Sequence, residues 1–159
     1  MSVDTIEKTG KNSNSAVVSP KKLAHFVLRT SRYKEIVDWY KTVLGAEAAF
    51  ENEILSFLSY DEEHHRVAVL NMPNLADQTE GVAGVHHNAF TYGSLTDLLN
   101  TYERLRDLGI KPVFVINHGP TTSLYYADPD GNQVELQVDN YDTIEEATAF
   151  FYSPAFAEN

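Results

Sequence analysis

Histidine is scarce in this 159-residue chain, yet four of its six histidines stand in two adjacent pairs. His64 and His65 form the first pair, and His86 and His87 form the second. Imidazole is a metal ligand and, with an ordinary pKa of about 6.5, an acid or base near neutral pH. Neighbouring residues of a β-strand point to opposite faces, so at most one member of each pair can face a given site. The chemistry therefore depends on which ring of each pair faces inward.

The composition limits what chemistry these residues can support. The chain has no cysteine, which excludes disulfides, thiolate zinc sites and a cysteine nucleophile and leaves nitrogen and oxygen as metal ligands. Its 12 Lys and Arg against 23 Asp and Glu give a formal net charge of -11. That charge repels phosphate backbones and anionic lipids, so we expect no binding to nucleic acid or membrane. Neither a signal peptide nor a long apolar run occurs, which predicts a cytoplasmic protein.

An internal repeat organises the middle of the chain. Each half begins with a strand-like run, LAHFVLRT at 23–30 and VHHNAFTY at 85–92, followed by an apolar stripe with helical spacing. The stripes predict helices at about 32–44 and 95–108. Three strand-like runs follow each helix, at 47–50, 54–60 and 65–71 and at 112–117, 122–127 and 132–138. The order is βαβββ twice, which predicts an α+β fold.

We expect one folded domain over residues 20–140, with its first module at about 20–78 and its second at about 82–140. The polar residues 1–19 predict a disordered leader. Residues 141–159 are typical of a C-terminal helix and tail, and their exposed-looking aromatic run predicts a homo-oligomer.

Strand alternation selects three candidate metal ligands. In NQVELQV at 132–138 the apolar residues share one face and Glu135 lies on the other. The repeat aligns His87 with His25, both on the face away from the helices, whereas His86 lies on the opposite face. Two imidazoles and one carboxylate with open positions are typical of non-haem Fe(II) that binds substrate and O₂ together.

The same reasoning leaves other residues undecided. Alternation does not choose between His64 and His65, and both can be surface residues beside the acidic run at 61–63. Tyr125 and Tyr126 can equally be strand aromatics of the core.

Several motifs together carry a family resemblance. They are HFVL at 25–28, HHRVAV at 64–69, HHNAF at 86–90, Tyr125, and DPDGN at 128–132 leading into Gln133, Val134 and Glu135. Over about residues 20–139 the chain resembles the type I extradiol dioxygenases, which cleave catechols, of the vicinal oxygen chelate (glyoxalase/bleomycin resistance/dioxygenase) superfamily. The DPDGN and H-x-A-F motifs are common to the superfamily, whereas HHRVA with Tyr125 is more specific to the extradiol enzymes.

The resemblance implies a one-domain enzyme whose two modules form an open, cupped mixed β-sheet around a metal site, with the helices outside. It implies Fe(II), with Mn(II) as the alternative, bound by His25, His87 and Glu135. The implied substrates are O₂ and a small aromatic diol, monocyclic or biaryl, in the catabolism of aromatic hydrocarbons.

The resemblance also implies roles for three further residues. His65 matches the acid/base histidine of the family, and Tyr125 matches its active-site tyrosine. His118 falls in a loop that carries a further substrate-side histidine in many members.

Two other functions of the same fold stay open. One is a lyase or isomerase of the glyoxalase I kind. A resemblance to those enzymes implies a site with four protein ligands, the fourth being an acid on the last strand of the first module. We expect the equivalent of Glu135 at about 70–73, where no acid occurs, which favours three ligands. A metal-free drug-binding module, like the bleomycin-sequestering proteins, needs no ligand triad.

Overall fold

The computed structural model describes residues 17–79 and 81–157. Residues 1–16, most of the predicted leader, lie outside the described residues. The eight strands form two four-stranded mixed sheets, one for each half of the repeat. The predicted α+β fold of two βαβββ modules is therefore confirmed.

The first module contains β1 (Phe26–Thr30), α1 (Tyr33–Leu44), β2 (Glu47–Glu51), β3 (Leu55–Ser59) and β4 (Val67–Asn71). Its strand order is β1-β4-β3-β2, with β1 parallel to β4 and the other neighbours antiparallel. The second module contains β5 (His87–Thr91), α2 (Leu95–Asp107), β6 (Phe114–Asn117), β7 (Thr121–Ala127) and β8 (Gln133–Asp139). Its order, β5-β8-β7-β6, and its strand directions repeat those of the first.

Both helices form where apolar spacing and end signals agree. The apolar stripe of α1 is buried and consists of Ile36, Val37, Tyr40 and Val43. Gly45 ends this helix at φ 64°, a left-handed conformation that glycine adopts without steric cost. Ser94 begins α2 by accepting a hydrogen bond from the Asp97 N–H at 3.1 Å, and Leu98 and Leu105 are buried. The helices thus pack on the apolar faces of the sheets and leave the other faces for the site.

The turn between β7 and β8 contacts the first module through the buried Asp128. The Asp128 side chain accepts hydrogen bonds from the N–H groups of Asp130 and Asn132, at 2.9 and 2.8 Å, and from the Asn132 amide. Tyr40 of α1 donates its hydroxyl to Asp128 at 3.3 Å. Burial raises the pKa of Asp128, and burial with the Asp128 charge raises that of Tyr40. Gly131 closes the turn at φ 86°, as the DPDGN sequence predicts.

Two arginines add contacts between the modules. Arg32, just before α1, donates to Asp130 at 2.8 Å. Arg104 of α2 donates to the Thr42 carbonyl at 2.7 Å near the end of α1, where orphan carbonyls favour a cation.

Two short helices, α3 (Ile144–Phe150) and α4 (Pro154–Ala157), follow the second sheet. Thr143 caps α3 by accepting from the Glu146 N–H at 3.2 Å, as the capping-box pattern predicts. Across the described residues, no helix has both the length and the apolar character needed to cross a membrane.

Candidate active site

One row of cross-strand neighbours defines the site face of the second sheet. Phe114, Tyr125, Glu135 and Ala89 pair in register across β6, β7, β8 and β5. Cross-strand partners point to the same face of a sheet, so these four side chains share one face. His87 lies two residues before Ala89 and therefore joins them. The strand alternation inferred from the sequence holds for His87 and Glu135.

His87 and Glu135 are in direct contact. The His87 Nε2 lies 3.0 Å from the Glu135 Oε2, and Glu135 is only 4% exposed. A carboxylate on a strand beside a glutamine is ordinarily solvated, and burying its charge is costly unless a partner or a metal compensates. Glu135 is therefore a buried acid paired with His87, not a solvated surface acid.

Tyr125 adds a hydroxyl to this pair. Its OH lies 3.0 Å from the Nε2 of His118, and its ring meets the His87 ring edge-on at 5.3 Å between centroids. Burial and the nearby Glu135 charge raise the pKa of Tyr125 to about 12. The phenol is therefore protonated at neutral pH and acts as a hydrogen-bond donor or acceptor, not as a base.

Tyr126, by contrast, points to the core side of β7 and is fully buried. The sequence left both tyrosines as equal candidates for core packing, and the structure separates them. Among the described residues, the Tyr126 hydroxyl is buried with no hydrogen-bond partner.

The first module brings His25 and His65 together. Their ring centroids are 4.2 Å apart, and the His65 ring stacks on Phe57 at 4.5 Å with an interplanar angle of 29°. His65 is 9% exposed, whereas His64 is exposed beside Glu63. Burial, then the neighbouring histidines, lower the pKa of His65. The structure thus selects the inward ring of a pair that the sequence could not resolve.

The repeat gives Glu135 an equivalent in the first module. Glu135 pairs with Ala89, two positions after His87. In the first module Val27, two positions after His25, pairs with Ala68. The expected location at 70–73 is therefore wrong, because the parallel register of β1 with β4 fixes the equivalent position earlier on the strand. Ala68 is not acidic, so the conclusion that this strand lacks a second acidic ligand stands.

Phe57 was missed as a site residue. It pairs with Ala68 as Tyr125 pairs with Glu135, so Phe57 is the repeat equivalent of Tyr125. Superposing the two predicted hairpins by register, instead of by motif, would have identified it.

The candidate residues form two groups. His87, Glu135, Tyr125 and His118 contact one another in the second module, and His25 contacts His65 in the first. Within residues 17–79 and 81–157, the structure contains no group of three or more His, Asp or Glu side chains arranged to hold a metal ion. The predicted ligands are thus observed as the His87–Glu135 pair, with His25 outside that contact.

Both histidine pairs also contact internally. The Nδ1 atoms of His86 and His87 are 2.7 Å apart, and those of His64 and His65 are 2.5 Å apart. Each pair has a member outside a strand, since β5 begins at His87 and β4 begins only after His65. Alternation therefore does not force the neighbouring rings to opposite faces.

A cavity of about 830 Å³ opens beside this site. It lies between β1 and the start of β5, with Phe26, Leu75, Val85 and His87 among its walls. Its volume lies within the range of about 300–1,000 Å³ typical of small-molecule sites, and its lining includes His87 but not Glu135 or Tyr125.

Comparison with known proteins agrees with this architecture. The model of the Glyoxalase/Bleomycin resistance protein/Dioxygenase superfamily matches residues 22–136. A glyoxalase/dioxygenase structure from Nostoc punctiforme superposes with a TM-score of 0.65 at 16% identity, covering 81% of this chain and 100% of that one. Lactoylglutathione lyase from Agrobacterium tumefaciens gives 0.61 at 18% identity, covering 76% and 95%. The chain belongs to the glyoxalase/bleomycin resistance protein/dioxygenase superfamily.

Two relatives place it more narrowly. Biphenyl-2,3-diol 1,2-dioxygenase 2 of Rhodococcus globerulus is 52% identical over 139 residues, 87% of this chain and 73% of the relative. Biphenyl-2,3-diol 1,2-dioxygenase 3 of the same organism is 48% identical over 141 residues, 87% and 74%. The resemblance to extradiol dioxygenases is confirmed, and this relationship implies a catalytic metal.

Proposed function

We propose that this chain cleaves the ring of a catechol-type aromatic diol beside its two hydroxyls and inserts both atoms of O₂. The observation that carries the proposal is the buried contact of His87 with Glu135, bordered by the Tyr125 hydroxyl. This face combines metal-ligand chemistry with a protonated hydrogen-bonding group, on a chain about half identical to named diol dioxygenases.

The His87–Glu135 pair fits a divalent cation. Metal–ligand bonds of about 2.1 Å at a right angle separate two donor atoms by about 3 Å. The His87 Nε2 and Glu135 Oε2 have that separation, 3.0 Å. We assign His25 as the third ligand and Fe(II) as the metal, with Mn(II) as the alternative, because imidazole and carboxylate suit both. When bound, the metal supplies a Lewis acid for the diol oxygens and a redox route to O₂.

The chain's own residues then bind, orient and move protons. His65, held against Phe57, is the proposed base for a substrate hydroxyl and the acid that returns the proton. Tyr125 donates a hydrogen bond to an oxygen of the reacting diol, because its raised pKa keeps the phenol protonated. His118 accepts from or donates to Tyr125 and so orients that hydroxyl.

We propose a biaryl diol as the substrate class. Both named relatives are biphenyl-2,3-diol dioxygenases, and Phe114 offers a half-exposed phenyl ring 5.7 Å from the Tyr125 ring. An apolar ring at this position suits the second ring of such a diol, which has no polar group to satisfy. The cytoplasmic location and the homo-oligomer stay predictions of the sequence.

The test uses anaerobically prepared protein loaded with Fe(II). We expect about one metal ion per chain, and O₂ uptake with a yellow ring-opened product from biphenyl-2,3-diol. His87→Ala should abolish metal binding, whereas His86→Ala, the matched change one residue away, should largely retain it. Ring cleavage by metal-free wild type, or equal metal loss in both variants, would contradict the assignment.

A further inference from the structure

We propose that Phe150, in the C-terminal helix α3, is a positioning residue that holds the His118 loop over the site. This proposal rests on the proposed function, because His118 matters through its contact with Tyr125. Phe150 does not touch the reacting groups itself. It acts through the backbone that carries His118.

The contact between α3 and the loop is unusually close. Gly119 directly follows His118 and has a φ of +89°, a conformation that favours glycine. A Cβ built on Gly119 would lie 2.2 Å from two ring carbons of Phe150. The Phe150 ring therefore packs directly against the glycine backbone, where a side chain at position 119 would otherwise stand.

Polar contacts fix the rest of the loop. The Asn117 Oδ1 accepts from the Gly119 N–H at 2.7 Å, and the Asn140 amide donates to the Gly119 carbonyl at 2.8 Å. The Asn140 N–H also donates to the Pro120 carbonyl at 2.7 Å. The two bonds from Asn140 connect the loop to the residue that follows β8, and the Phe150 ring packs against the loop at Gly119.

Phe150 is itself supported by its surroundings. It is the last residue of α3, and its ring lies 6.3 Å from that of Tyr141 and 6.0 Å from that of Phe156. The Ser153 hydroxyl donates to its carbonyl at 2.7 Å. None of the residues of α3 is fully buried, and Phe150 is one of its two half-buried positions. The contact with Gly119 therefore joins this helix to the loop that carries His118.

The position of the loop sets the position of His118. The His118 Nε2 is 3.0 Å from the Tyr125 hydroxyl, and a hydrogen bond of that length is lost when its atoms separate by about 0.5 Å more. Misplacing a catalytic group by about 1 Å can cost about 10²-fold in rate. Removing the Phe150 ring keeps the hydrogen bonds of the loop but removes the side chain that packs on Gly119, so we expect His118 to shift while the proposed ligands on β5 and β8 stay in place.

The experiment compares Phe150→Ala with Tyr152→Ala, which removes a neighbouring aromatic that is 88% exposed. In Fe(II)-loaded enzyme with biphenyl-2,3-diol, we expect Phe150→Ala to lower kcat by about 10- to 100-fold. Metal content should equal that of wild type. Hydrogen exchange at the amides of residues 117–119, which does not depend on turnover, should accelerate. Tyr152→Ala should leave all three quantities unchanged.

A double-mutant cycle separates positioning from a general structural role. In a His118→Ala background, Phe150→Ala should cause little further loss of kcat, because its effect passes through His118. The proposal would be overturned if the losses of kcat in His118→Ala and Phe150→Ala multiplied in the double variant. It would also be overturned if Phe150→Ala accelerated hydrogen exchange but kept a normal kcat. Phe150→Leu, which keeps apolar bulk, should restore most of the activity and provides the test if the alanine variant does not fold. Absence of ring cleavage by wild type would instead refute the proposed function.

Discussion

Tyr125 and Tyr126 allow a sharp test of the site, because they are neighbours on β7 with opposite surroundings. Tyr125 faces Glu135 and His118, whereas Tyr126 points into the core. The change of either tyrosine to phenylalanine removes one hydroxyl and nothing else. The two variants therefore separate the chemistry of the site face from the stability of the core.

We expect Tyr125→Phe to lower kcat and Tyr126→Phe to change the free energy of unfolding. Loss of one preorganised donor typically lowers kcat by about 10²–10³-fold, and we expect the lower end for Tyr125→Phe because His118 remains nearby. The free energy of unfolding of the Tyr125→Phe variant should change little. Tyr126→Phe removes a hydroxyl that is buried with no partner among the described residues. An unsatisfied buried polar group costs about 1–3 kcal/mol, so the free energy of unfolding should rise by about 1 kcal/mol.

The assay is steady-state O₂ uptake with biphenyl-2,3-diol, combined with urea denaturation of the same preparations. Normal kcat in Tyr125→Phe, or a comparable loss in Tyr126→Phe, would refute the assignment of the two faces.

Two further predictions concern the contact of Tyr40 with Asp128, in the turn between β7 and β8. Tyr40→Phe removes a buried hydrogen bond to the Asp128 carboxylate, long at 3.3 Å, so we expect a loss of about 1.5 kcal/mol in urea denaturation. Tyr102→Phe, which removes a hydroxyl from a half-buried side chain of α2, should change stability by less than about 0.5 kcal/mol, and equal losses would contradict the specific bond. Burial raises the folded-state pKa of Asp128, so its stabilising contribution is full below its unfolded pKa and is lost as pH rises through the folded pKa. The stability of wild type relative to Asp128→Asn should therefore decrease from pH 4 to pH 7, and a constant difference across that range would argue against the shift.

Local patterns predicted much of this molecule. Helical spacing placed α1 and α2 to within a residue or two, and the comparisons confirm the fold, the family and the extradiol dioxygenase class. Alternation worked for Glu135 and His87 because both lie within regular, paired strands.

Other features depended on contacts that no local pattern encodes. The choice of His65 over His64 followed from burial against Phe57, in a segment before the strand where alternation does not apply. The bond from His118 to Tyr125 required the geometry of a hairpin loop. The packing of Phe150 on Gly119 joins residues 31 positions apart in the sequence, so only the folded chain shows it.

The matching register of the two sheets also bears on how such a protein can diversify. At equivalent positions the second module has Tyr125 and Glu135, and the first has Phe57 and Ala68. One copy of the duplicated unit thus carries reactive groups at positions where the other carries only hydrocarbon. A substitution at Ala68 would change the shape of that half without deleting a donor atom, whereas Phe57 also stacks on His65. Selection for new aromatic substrates can therefore act at Ala68 while the proposed reactive groups of both modules stay unchanged.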